Sequence, residues 1–476
     1  MSVVVQRTRF AARNMVGIPR LRQHKAPHRR PILSILADVF SVLIGLTAMF
    51  SVHLVGDLPV AEAFVASVFV PALILYRRRV LRPDAIRIYV LMAGWLLNQI
   101  LTDLYRGTAR IDWIRGDAAI VFFAIDLMIA VMLMSGNDRR KLLFIGGFAI
   151  GSLLAFRFQP TELAEQAPWK FGLSGGVNLL VVLASTFFYN RRRYLTALFL
   201  LLGIAAVNLV QDYRSPVLLL LLTIGLTIPV IPEQIGPWRV LPPAGSRARV
   251  VVLMSIALLM TVSAIGLVKV LSSRGYLGEE AQAKNEEQAQ FKGGLLIGGR
   301  PEILVSSRAV LSSPILGHGS WAKDYKYVNM LTDISVESGA ERDADYEEEI
   351  SGGLIPTHSH LMGAWVWAGI LGAVFWGYIF WITGRAGLLV AVHHVPYSSL
   401  FMFLFIGQLW DTLFSPFGTS RRIFESIVIV IVLDLLREKG INFRPMQLLR
   451  RPTWRRHALR GYAPGISPSA HSNSNS

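Results

Sequence analysis

Long apolar runs separated by short charged segments set the pattern of the chain. About twelve runs have the length of about 17–25 residues that crosses a bilayer as a helix. They fall at roughly 32–54, 58–76, 86–104, 117–135, 141–157, 172–189, 194–211, 214–231, 249–270, 358–383, 397–414 and 422–437. One long polar stretch, 271–357, interrupts them. The pattern predicts an all-α polytopic membrane protein with about twelve transmembrane helices and one large loop carrying short amphipathic helices. Five segments follow: a basic tail (1–31), nine spans (32–270), the loop (271–357), three spans (358–437) and a basic, partly disordered tail (438–476).

Composition agrees with this pattern. Of 476 residues 53% are hydrophobic and 17% charged, with mean hydropathy +0.46, too apolar for a soluble chain of this size. The net charge of +17 would suit a nucleic-acid binder, but much of it lies at the two ends and in short loops between apolar runs, which points to a lipid bilayer and to no nucleic acid. Placing the N-terminus inside puts RRRVLRPDAIR, NDRRK, NRRRY, Trp238 to Arg249 and the Arg385 connection inside, each with Lys or Arg. The outside loop 271–357 then carries eight basic against fourteen acidic residues. The connection near 105–116, with Arg106, Arg110 and Arg115, breaks the rule. Without cysteine there is neither a disulfide nor a thiolate metal site.

The residues suited to chemistry cluster at the outer ends of these spans. Arg214, in QDYRSP, starts a helix whose free N–H groups favour an anion, and an arginine there can hold a phosphate with two hydrogen bonds. It suits snorkelling to head groups or pairing with Asp212 equally well. Arg300, after Gly298 and Gly299, opens an amphipathic stretch with Ile303, Leu304, Val310 and Leu311 at helical spacing, and Arg308 lies about two turns on. His358 and His360 head a span. Their i, i+2 spacing opposes shared metal ligation and favours one neutral imidazole, of ordinary pKa about 6.5, as a general base. Arg421 adds charge before the last span, while the acidic run Asp343 to Glu349 and the cluster GGLLIGG match no cation loop or phosphate loop.

Four features in order resemble the O-antigen ligase and O-antigen polymerase family of bacterial inner-membrane glycosyltransferases. They are Tyr213-Arg214-Ser215 opening a span, Gly299-Arg300 before a helix, Pro314 to Gly319 (P-I-L-G-x-G), and His358 followed by Gly369 to Gly372 (G-I-L-G). Ser359 stands where the family usually has asparagine, and Tyr213 where serine is common. The resemblance implies glycan transfer at the periplasmic face, from an undecaprenyl-diphosphate-linked donor to a glycan or lipid A-core acceptor. It implies His358 as catalytic base, Arg214 and Arg300 on the diphosphate, and His360, Arg308 and Arg421 as accessory residues. No cofactor or metal is expected, and envelope polysaccharide assembly proteins are candidate partners. A flippase or transporter of a lipid-linked glycan, which predicts ionisable residues in mid-span, competes with this reading and must account for Asp38 and Asp126. So does a non-catalytic membrane partner.

Overall fold

The computed structural model describes residues 32–53, 57–227, 234–235, 238–239, 242, 246–276, 278, 282, 300–338, 352–393 and 395–438. The expectations for the tail 1–31, the chain beyond 438, Gly298-Gly299, the GGLLIGG cluster and the run 343–349 lie outside the described residues.

Each of the twelve apolar runs contains a helix among the described residues, though the run 32–54 also takes in a short strand after its helix. The helices are α1 Ile32–Thr47, α2 Val60–Val80, α3 Pro83–Arg106, α4 Arg110–Met134, α5 Asp138–Phe158, a short α6 Glu162–Gln166, α7 Ser174–Asn190, α8 Tyr194–Val210, α9 Arg214–Thr227 and α10 Arg247–Ser273. After these come α11 Glu302–Ser312, α12 Tyr325–Ser338, α13 His360–Val392, α14 Ser398–Phe414 and α15 Thr419–Glu438. A π-helical turn, Pro168–Leu173, runs directly into α7. Two hairpins missed by the sequence pattern, β1 Ser51–His53 with β2 Asp57–Pro59 and β3 Gln234–Ile235 with β4 Trp238–Arg239, are antiparallel. Among the described residues seven helices are long and apolar enough to cross a membrane, as in a multi-pass membrane protein. α1, α8, α9 and α14 are apolar but shorter.

Local chemistry accounts for many helix ends. Pro83 opens α3, which closes on Gly107 in the left-handed conformation (φ 64°) with its N–H on the Asp103 carbonyl. Asn137 caps α5 by accepting from the Arg140 N–H at 3.2 Å. The α1 and α5 backbones meet closely because Gly147 and Gly151 lie one turn apart, and a Cβ on Gly151 would stand 2.3 Å from the Leu46 carbonyl oxygen.

One end of the bundle is tied by buried ion pairs. Asp434 of α15 takes Arg82 Nη1 and Lys141 Nζ, each at 2.8 Å, and Asp38 takes Arg140 at 3.0 Å and Arg139 at 3.2 Å. Asp38 is therefore the partner of two arginines in the first turn of α5 rather than a lone charge in a span. Between the ends lies an aromatic core, in which Trp376 contacts Trp95, Phe123, Phe375 and Phe417 with ring centroids 5.1–6.1 Å apart.

At the opposite end, α11 and α12 form a second small core with Val305, Ala309, Tyr327, Leu331, Ile355 and Val366. The amphipathic reading of α11 holds for Val310, which is buried, but Leu304 and Leu311 are exposed and Val305 and Ala309 face inward. Packing of α11 against α12 and α13 selects that face.

Candidate functional site

Three segments named from the sequence come to the end that holds α11 and α12. A tight turn links α8 to α9: Asp212 adopts φ +47°, and the Tyr213 N–H donates to the Asn208 carbonyl at 2.9 Å. Arg214 is then the first residue of α9, and its Nε donates to Asp212 Oδ1 at 2.8 Å. The Asp212 pairing weighed from the sequence is thus present, with the guanidinium still partly exposed.

Arg300 stands just before α11, half-buried, and its carbonyl accepts from the Ile303 N–H at 3.2 Å. Tyr213 reports on what surrounds it. Burial pushes its hydroxyl above the ordinary tyrosine range and Asp411 adds to this, while Arg421, a hydrogen bond from Ser215 and Arg300 pull the other way. Arg300, Arg421 and Asp411 therefore share one electrostatic neighbourhood with the residue preceding Arg214. Arg421 is held by Asp411, Nη1 to Oδ1, at 2.6 Å.

The segment carrying His358 is tied to the same neighbourhood by the next residue, Ser359. The expected span at 358 begins at His360 instead, because Ser359 is the N-cap: its Oγ accepts from the Met362 N–H at 3.1 Å and donates to the Thr412 carbonyl at 2.8 Å. Half-buried His358 thus precedes the helix, tied one residue from Asp411 in the last turn of α14. The two histidines do not occupy opposite sides of one helix, since only His360 is helical.

Arg308 does not join the group, and His360 feels Asp411 and Arg421 only from the buried side. His360 is fully buried, with its ring 4.7 Å from Trp376 and 5.3 Å from Phe417, and Nδ1 3.8 Å from Glu425 Oε1. Its accessory role at the surface is corrected by this position in the aromatic core. Arg308 lies on the exposed face of α11.

The glycine motifs find a common role. Gly369 interrupts α13 with φ 65° and ψ −154°, which frees the carbonyls ahead of it. The 314–319 segment takes them: His318 N–H donates to Val366 O at 2.7 Å and Gly319 N–H to Trp367 O at 3.1 Å, while Ile370 N–H returns to Ile315 O at 3.1 Å. Asn98 of α3 bridges the two by donating to Ile315 O at 3.1 Å and to Ala368 O. The last turn of α3 completes the seam. Asp103 accepts from the Ser320 N–H and Oγ, both at 2.6 Å, and Arg106 donates to Gly317 O at 2.9 Å and to Ser313 Oγ at 2.8 Å. Arg106, which violated the charge rule, is thereby explained as a tether of the 313–317 turn.

Sequence reading did not single out Asn98, Asp103, Asp411, Glu62 or Glu425. Their available signal was an ionisable or amide side chain inside an apolar run. Chemically, the end assembles several guanidinium groups, a neutral tyrosine hydroxyl and helix N-termini, and the segment carrying half-buried His358 is tied to α14 through Ser359. That is a setting for an anion and a proton acceptor. Among the described residues no group of three His, Asp or Glu side chains is arranged to hold a metal ion. No family model matches the chain, and no curated protein matches it.

Proposed function

We propose that the protein transfers a glycan from an undecaprenyl-diphosphate-linked donor to an acceptor hydroxyl during surface polysaccharide synthesis, as an O-antigen ligase or an O-antigen or exopolysaccharide polymerase. Twelve spans with both termini in the cytoplasm would place the 271–357 loop and the site at the periplasmic face of the inner membrane. There nucleotide sugars are absent, and a lipid-linked diphosphate supplies the energy. Arg214 and Arg300 bind the diphosphate and stabilise the charge that grows on it as it leaves, and Arg421, paired with Asp411, lends further field. His358 takes the proton of the acceptor hydroxyl as that oxygen attacks the anomeric carbon.

One observation carries this reading: Arg300, Arg421 and the Tyr213-Arg214 turn share one electrostatic neighbourhood, and the His358 segment is bonded to the same turn of α14. The test is deletion of the gene in its native host, with polyprenyl-linked glycans profiled beside lipopolysaccharide and secreted polysaccharide. Single repeat units accumulating on the carrier mean polymerase, and long chains stranded there mean ligase. In a second strain, His358→Ala lowers transfer by about 10²- to 10⁴-fold, the usual share of a general base. Unchanged pools in both strains would sink the proposal in favour of a transporter or a non-catalytic partner. The transporter reading draws its support from the carboxylates buried within α2, α4 and α15.

A further inference from the structure

Asp126 of α4 is the charge in a span that the ion pairs leave unexplained. It is 1% exposed, and neither carboxylate oxygen has a hydrogen-bond donor. Beside it lies Glu62 of α2, fully buried and held by Arg422 of α15 in a two-pronged pair, Nε to Oε1 at 2.7 Å and Nη2 to Oε2 at 2.8 Å. Two carboxylates thus face one guanidinium in a water-poor interior. If both were ionised, two acceptors would meet with no hydrogen between them and one negative charge would remain unbalanced.

Among the described residues these neighbouring charges are committed elsewhere. On α15 the next charged residue inward is Glu425, 3% exposed, which faces His360 of α13 and Gln408 of α14. Asp411 of α14 is committed to Arg421 and Asp57 of β2 to His53. On α1 Asp38 binds Arg139 and Arg140, on α3 Asp103 binds Ser320 and Asp84 binds Arg82, and on α5 Lys141 serves Asp434. Along α4 itself Asp112 pairs with Lys323 and Asp117 accepts from Trp113.

We propose that Asp126 and Glu62 form a buried proton-binding site in the bundle, in which one proton is shared between the two carboxyl groups and Arg422 balances the charge that remains. The proton supplies the missing donor: a protonated Asp126 hydroxyl donates to a Glu62 oxygen. Its loss leaves a net negative pair that pushes α2 and α4 apart, so occupancy of the site is linked to the packing of these helices. The ligand is the proton itself, and the site stands whether the outer end transfers glycans or not.

Infrared difference spectroscopy on the full chain in lipid nanodiscs tests this, by way of the C=O band of a protonated carboxyl group. Wild type at neutral pH should show the band, unchanged when sodium is replaced by potassium, and Asp126→Asn should weaken it while keeping the helical signal. Should Asp126→Asn fail to fold, wild type labelled with ¹³C at the aspartate carboxyl must show the band at the shifted frequency. A band undiminished in Asp126→Asn, or one of which no part follows the label, overturns the proposal. So does a missing band together with melting that rises with sodium, which would make the ligand a metal cation.

Discussion

At position 369 a residue without a side chain is required twice over. The backbone is left-handed, and an added Cβ would stand 1.9 Å from the Ile315 carbonyl oxygen. Gly317, at φ 86°, meets the same seam from the other side, where a Cβ would be 2.7 Å from Trp367 O. The two glycine motifs seen in the sequence are therefore the two halves of one contact. The histidines two residues apart divide in the opposite sense: His358 precedes the α13 cap, and His360 fills space between Trp376 and Phe417. His360→Ala should cost about 2–4 kcal/mol, as emptying an aromatic-lined site does, whereas His358→Ala should change stability by about 1 kcal/mol or less. Thermal unfolding of the two purified variants checks this. Equal losses would mean that His358 is as structural as its neighbour.

Among the elements, α3 has a role that its apolar pattern hides. Its inward face is polar over its last turns, and Asn98, Thr102, Asp103 and Arg106 all bind the 313–320 segment. The loop is thereby held at the bundle end by a helix some two hundred residues earlier in the chain. Asp103→Ala strands the Ser320 N–H in a buried place and should cost about 1–3 kcal/mol. Limited proteolysis should then cut within 300–338 at protease levels that leave wild type intact, and resistance equal to wild type would show that the other tethers suffice. α1 and α5 combine both devices: Gly45, Gly147 and Gly151 let the two backbones touch, and Arg139 and Arg140 at the start of α5 bind Asp38 of α1.

For the molecule as a whole, the ends differ in how they use charge. At one end positive loop residues meet Asp38 and Asp434 in closed ion pairs, so the basic loops read as a topology signal also stitch the bundle. At the other end charge remains partly exposed, as Arg214 and Arg421 show. Lys141→Met should destabilise by about 3–5 kcal/mol, because Asp434 keeps its burial but loses a partner, and Lys141→Met with Asp434→Leu should cost less. A double variant no better than the single one in thermal melts would assign Lys141 a packing role instead.

The apolar runs mark the helices, seven of which among the described residues are long and apolar enough to cross a membrane, because a segment in lipid must satisfy its backbone internally and writes that need into its own composition. Helix ends at Pro83, Gly107 and Asn137 likewise rest on local chemistry. Arg214, Arg300 and His358 stood out because charge and imidazole are rare at the ends of apolar runs. Which of their segments meet is a matter of the fold alone. That His358 lies outside its helix depends on Thr412, that Arg106 is tied to Gly317 and Ser313 depends on a seam between 98–106 and 313–320, and that Asp126 meets Glu62 and Arg422 depends on three helices packing together. Such partners are tens to hundreds of residues apart. No local periodicity records them, since each is selected by the packing of whole helices and by the cost of leaving a buried polar group alone.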